Sequence, residues 1–137
     1  MSTSTKGFEE QLLARLETLL AERHPGLELE VPTSGSTERG PIPDFVISNP
    51  DTGSSIVVEL KGGLQGKHLP FSMLPQMRAL QQQFRFENPQ RGEFVVITTG
   101  RIPNLVQEGL MHDGIEFLEV SSPEEAAERL DQRLETL

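Results

Sequence analysis

Asp44, Glu59 and Lys61 are the residues of this chain whose types and spacing could do chemistry together. Two carboxylates offer hard oxygen donors and an amine offers a movable positive charge, so the three could bring a divalent cation and a phosphate to one place. Asp44 follows Pro43; fourteen residues separate it from Glu59-Leu60-Lys61, and Gly62-Gly63 follows directly, leaving room for a bulky ligand.

Meeting in space requires a hairpin, and the intervening residues predict one. Phe45-Val46-Ile47 and Ile56-Val57-Val58 are β-branched or aromatic runs, and Ser48 to Ser55 between them carries Asn, Pro, Asp and Gly, the chemistry of turns. A turn centred between Asp51 and Thr52 sets Asp44 opposite Glu59, with β-carbons roughly 5 Å apart. Strand alternation then sends Asp44, Val46, Val57, Glu59 and Lys61 to one face and Phe45, Ile47, Ile56, Val58 and Leu60 to the other. Like charges directly opposite destabilise a hairpin, so the arrangement calls for a counter-charge, either Lys61 or a divalent cation. The alternative is a half-buried hairpin whose solvent side happens to carry Asp, Glu and Lys.

Pro43, Asp44, Glu59 and Lys61 together resemble the PD-(D/E)xK, or restriction-endonuclease-like, nuclease superfamily. The resemblance implies Asp44 and Glu59 as Mg²⁺ ligands, with Mn²⁺ as a substitute, the backbone carbonyl of Leu60 as a third ligand, and Lys61 as the group that orients or activates the attacking water. It also implies an acid on the first helix. The segment Lys6 to Arg23 places Leu12, Leu13, Leu16, Leu19 and Leu20 at helical spacing, and Glu9 projects into that stripe while Glu10 lies about 100° further round. A carboxylate on a core-facing stripe is costly without a partner, and a cation in the site would be one; the alternative is an exposed Glu favoured by the helix dipole.

The remaining elements follow from periodicity and punctuation. Helix one ends before His24-Pro25-Gly26, Leu27 to Val31 alternates as a strand, and residues 32–42 form a loop leading to Asp44. After the hairpin come a loop over 62–70 containing Lys67 and His68, and a helix over 71–86 with Met73, Leu74, Met77, Leu80 and Phe84 on its apolar stripe. Glu93 to Thr99 is a buried strand, 103–111 a short helix, 115–120 another strand, and Ser122-Pro123-Glu124-Glu125 opens a capped final helix. This gives an α/β fold of one domain over residues 1–137: an αβββαβ core with a mixed central sheet flanked by helices, plus a C-terminal αβα extension. The Thr98-Thr99-Gly100-Arg101 turn is also similar to Mrr-type restriction endonuclease domains, and its backbone N–H groups could hold an anion.

Some members of the superfamily place a Gln on the helix after the E-x-K strand, and Gln76 is the positional match; a surface glutamine is the alternative. Lys67, His68, Arg78, Arg85 and Arg101 are the candidate nucleic-acid contacts. His24, His68 and His112 have no metal-ligand spacing.

The chain has 137 residues and no cysteine, which excludes disulfides and thiolate metal sites. Its apolar runs are too short to span a membrane and its first residues lack the apolar stretch of a signal peptide, so a cytoplasmic location is expected. The net charge of -9 runs against a nucleic-acid partner. Its distribution tempers that objection, because residues 61–101 hold six basic and two acidic side chains, a local +4 that leaves -13 for the remainder. The expectation is a metal-dependent nuclease acting on DNA, an endonuclease of restriction, homing or junction-resolving type, working as a homodimer to cut both strands, with the acidic surface open to a protein partner. An RNase of the same chemistry, or a catalytically silent nuclease-like adaptor, are the alternatives.

Overall fold

The computed structural model describes residues 5–31, 44–61, 73–83 and 92–137. The elements follow one another as α1 (Thr5–Arg23), β1 (Glu28–Glu30), β2 (Phe45–Asn49), β3 (Ser54–Lys61), α2 (Met73–Gln83), β4 (Gly92–Thr98), α3 (Asn104–His112), β5 (Ile115–Glu119) and α4 (Pro123–Leu134). The five strands form one mixed sheet in the order β1-β2-β3-β4-β5, antiparallel from β1 to β3 and parallel from β3 to β5.

The hairpin between β2 and β3 forms in the expected register, with Phe45 opposite Val58, Val46 opposite Val57 and Ile47 opposite Ile56. Its loop is tighter than the turn-rich segment suggests. Asn49 is the last residue of β2, and its side-chain Oδ1 accepts the N–H of Asp51 while its backbone carbonyl accepts that of Gly53. Gly53 closes the loop at φ 76°, a left-handed conformation that costs glycine nothing.

Beyond Phe45 the ladder slips. The N–H of Asp44 donates to the carbonyl of Val58, the residue already paired with Phe45, instead of extending the pairing to Glu59. Two residues of one strand facing one of the other is the pattern of a bulge, which re-aims a side chain at a strand end.

Both faces of the sheet are covered, as the apolar run of β4 requires. On one face Phe45, Ile47, Ile56, Val58, Leu60, Val95 and Ile97 pack beneath Leu12, Leu16 and Leu20 of α1 and Ala126, Leu130 and Leu134 of α4. On the other, Val57, Phe94, Val96 and Ile115 pack beneath Met77 and Leu80 of α2 and Val106 and Leu110 of α3. The hairpin face that carries the charges is therefore core at Val57 and turns polar only at its end, at Glu59 and Lys61.

The C-terminal αβα segment is integral to this arrangement. Strand β5 completes the sheet, and α4 shares the core of α1. Between these helices Asp131, buried, accepts hydrogen bonds from Arg23 Nη1 at 2.6 Å and lies 2.7 Å from His24 Nε2. Helix α4 starts where its sequence predicts, with the Ser122 side chain accepting the Glu125 N–H and Pro123 at the first turn. Among the described residues, no helix is long and apolar enough to cross a membrane.

Candidate active site

The site residues gather at the C-terminal end of β3. Asp44 arrives there because the bulge turns its side chain along the strand end, where Oδ2 accepts the N–H of Leu60 at 2.6 Å. Glu59 lies on the same side, half-buried, and its carboxyl is in hydrogen-bonding contact with that of Asp44. The two acids meet as the sequence predicts, although through a local slip and not through a directly opposed pair.

The electrostatic outcome is strong. Burial, then the hydrogen bond and the charge of Asp44, and also the charge of Glu9, push the Glu59 carboxyl from its ordinary 4.5 up to about 9; Lys61 pulls in the opposite direction without offsetting them. Glu9, half-buried on the first turns of α1, is thus close enough to press on Glu59, whereas Glu10 is exposed. Two acids thus act on Glu59, with Lys61 as the cation that opposes them.

Lys61 is held from outside the hairpin. Its Nζ donates to Oε1 of Gln76 on α2 at 2.9 Å. Gln76 is exposed, as a surface glutamine would be, yet its amide is directed at the amine of the E-x-K triplet.

The candidate nucleic-acid contacts have divergent placements. Arg78 Nε donates to Asp113 Oδ2 at 2.6 Å, and Gln81 Nε2 donates to the carbonyl of the same residue at 2.9 Å, so Arg78 ties α2 to the end of α3. The bond uses one of the five guanidinium donors, and the Arg78 side chain stays half exposed. Arg101 is exposed at the turn after β4. Pro43, Lys67, His68 and Arg85 lie outside the described residues.

In the turn after β4, backbone amides bond within the protein. The Gly100 N–H donates to Thr98 Oγ1 at 2.9 Å and the Ile102 N–H to Glu119 Oε1 at 3.3 Å, which leaves those amides engaged within the protein.

Oxygen ligands at this site suit a hard cation. Among the described residues no three His, Asp or Glu side chains form a metal cage, so any ion would be held by the Asp44 and Glu59 carboxylates with a backbone carbonyl such as that of Leu60, keeping waters in its other positions. Mg²⁺ binds in that way. The uncompensated carboxyl pair is the local feature a divalent cation would relieve.

No family model and no curated protein matches the chain. Among solved structures it is similar to a repair endonuclease from Pyrococcus abyssi, with a TM-score of 0.50 at 18% identity over 81% of this chain and 47% of that one. It is also similar to the MspJI restriction endonuclease in complex with a 27-mer oligonucleotide, with a TM-score of 0.46 at 14% identity over 81% of this chain and 25% of that one. The chain thus spans about half the length of the repair endonuclease and about a quarter of MspJI. Its mixed five-stranded sheet flanked by helices has the restriction-endonuclease-like fold.

Proposed function

We propose that this protein is a metal-dependent nuclease that hydrolyses phosphodiester bonds in DNA, with Asp44 and Glu59 as metal ligands and Lys61 as the group that positions the attacking water. One observation carries the reading: the Asp44 and Glu59 carboxyls touch at the end of β3, and Lys61, two residues on, is anchored by Gln76.

When bound, Mg²⁺ would polarise the scissile phosphate and lower the pKa of its bound water. The chain's own residues do the positioning. Asp44 is fixed by the Leu60 N–H, which leaves its other oxygen for the ion. Lys61 spends one N–H on Gln76 and keeps two to orient the water and neutralise charge that builds on the phosphate. Glu9 adds negative potential beside Glu59, which favours a divalent cation over an empty site.

The substrate is tested by incubating the protein with supercoiled plasmid, single-stranded DNA, a four-way junction and RNA, each in Mg²⁺, in Mn²⁺ and in EDTA. Cleavage of a DNA substrate that EDTA abolishes is the expected result. Cleavage of RNA alone would move the reading to an RNase of the same chemistry, and binding of nucleic acid without cleavage of any substrate would favour an adaptor that has kept the fold.

A further inference from the structure

Among the described residues, Arg101 is the arginine without a carboxylate partner. On a chain with net charge -9, the other described arginines are paired with carboxylates: Arg15 with Glu124, Arg23 with Asp131, Arg78 with Asp113, Arg129 with Glu125 and Arg133 with Glu116. Lys61 is bonded to Gln76. Among the described residues, Arg101 has neither an ion pair nor a side-chain hydrogen bond, and it is exposed.

Its mount is rigid. The turn that carries it is tied four ways: Gly100 N–H to Thr98 Oγ1 at 2.9 Å, Ile102 N–H to Glu119 Oε1 at 3.3 Å, Gln107 Nε2 to the Ile102 carbonyl at 2.8 Å, and Val120 N–H to the Thr98 carbonyl at 2.9 Å. Thr98 and Ile102 are themselves buried. A turn fixed on both sides of one arginine presents that guanidinium with little backbone entropy left to lose on binding.

Its position is set by the sheet. Lys61 and Thr98 are register partners in the parallel pair β3 and β4, so their backbones lie about 4.8 Å apart. Arg101 is three residues further on, which keeps its Cα within roughly 15 Å of that of Lys61 even for a fully extended path. Both residues stand at the C-terminal ends of adjacent strands.

We infer that Arg101 is a substrate-positioning residue that contacts a backbone phosphate of the bound nucleic acid, next to the phosphate cleaved at Asp44, Glu59 and Lys61. The assignment rests on the nuclease reading and deepens it. It gives an acidic protein a directed electrostatic contact, and the guanidinium fork suits a phosphate held by two parallel N–H···O bonds.

The test compares the parent with Arg101→Ala, Arg101→Lys and, as a remote control, Arg129→Ala. Affinity for a labelled DNA duplex is read by fluorescence anisotropy in Ca²⁺ across a series of NaCl concentrations, and cleavage in Mg²⁺ is followed under single-turnover conditions. Loss of one phosphate contact lowers the slope of log affinity against log salt by about 0.9. Arg101→Ala is expected to show that loss and a raised half-saturating concentration, with the maximal cleavage rate preserved within about threefold; Arg101→Lys is expected to keep the slope, and Arg129→Ala to match the parent. A parent that cleaves while Arg101→Ala keeps the parental slope and half-saturation overturns the assignment but leaves the nuclease reading standing. A parent that neither binds nor cleaves overturns both.

Discussion

Asp44 Oδ2 accepts the backbone N–H of Leu60 at 2.6 Å, and this one bond fixes a carboxylate against the strand that carries Glu59 and Lys61. It also separates two substitutions that a list of metal ligands would treat alike. Asp44→Asn keeps an oxygen that can accept the Leu60 N–H while removing the charge that repels Glu59 once it ionises. The metal-free variant should therefore be as stable as the parent or slightly more so, and should lose Mg²⁺ binding by calorimetry. Asp44→Ala leaves the Leu60 N–H without its acceptor and should cost about 1–3 kcal/mol in denaturant unfolding. Mg²⁺ affinity retained in Asp44→Asn would remove Asp44 from the metal site.

Glu59 makes the stability of the metal-free protein depend on pH. Its carboxyl is pushed up to about 9 in the folded chain and returns to its ordinary 4.5 on unfolding. Between these values the folded state holds the extra proton, so stability falls as pH rises through the window and is greatest near its acidic end. Thermal melts in EDTA from pH 5 to pH 9 should show the melting temperature falling, and Glu59→Gln should flatten that slope. The same proton must leave before the carboxylate can take a metal, so Mg²⁺ affinity should rise with pH over the same range. A pH-independent melting temperature in EDTA would mean that Glu59 ionises normally.

Gln76 should matter to turnover through Lys61 alone. Removing its amide frees the amine to move, and misplacing a catalytic group by about 1 Å can cost on the order of a hundredfold in rate. Gln76→Ala is expected to lower the single-turnover rate by tenfold or more with Mg²⁺ affinity unchanged. An unaltered rate would make the bond from Lys61 Nζ to Gln76 incidental.

Asp131 holds α1 to α4 through Arg23 and His24. The hydrogen bond from His24, followed by that from Arg23 and the charges of both, holds its carboxyl below the ordinary 3.8. A depressed acid contributes stability that is present above its unfolded value and is lost as pH falls through its folded one. Asp131→Asn should therefore weaken the fold at neutral pH and reduce the loss of stability on acidification below about pH 4. Asp131→Ala should cost about 1–3 kcal/mol, since His24 loses its acceptor in a largely buried place while the exposed Arg23 can turn to water. Equal stability of the alanine variant at neutral pH would show that the clamp contributes nothing.

What could be read without coordinates is local. The β2–β3 register follows from turn chemistry between two β-branched runs, the core of α1 from leucine spacing, and the start of α4 from Ser122 and Pro123. Glu9 was marked by a carboxylate on an apolar stripe, and it presses on Glu59. Features set by packing left no such trace. Nothing in the sequence pairs Arg23 and His24 with Asp131, more than a hundred residues away, or Arg78 with Asp113. The slip at Asp44 escaped for another reason: alternation extrapolates a ladder evenly, whereas a bulge depends on where the pairing stops. Charge patterning marked Arg78, Arg85 and Arg101 for a phosphate, and it could not show that Arg78 is paired with Asp113.

The central claim is most directly tested by the single-turnover cleavage rate of a labelled DNA duplex in Mg²⁺, measured for the parent and for Lys61→Ala beside Mg²⁺ titrations of both. Cleavage by the parent that EDTA stops, with Lys61→Ala binding the metal normally but losing turnover, is the predicted result. Cleavage by Lys61→Ala at the parental rate, or cleavage by the parent that persists in EDTA, would contradict the account.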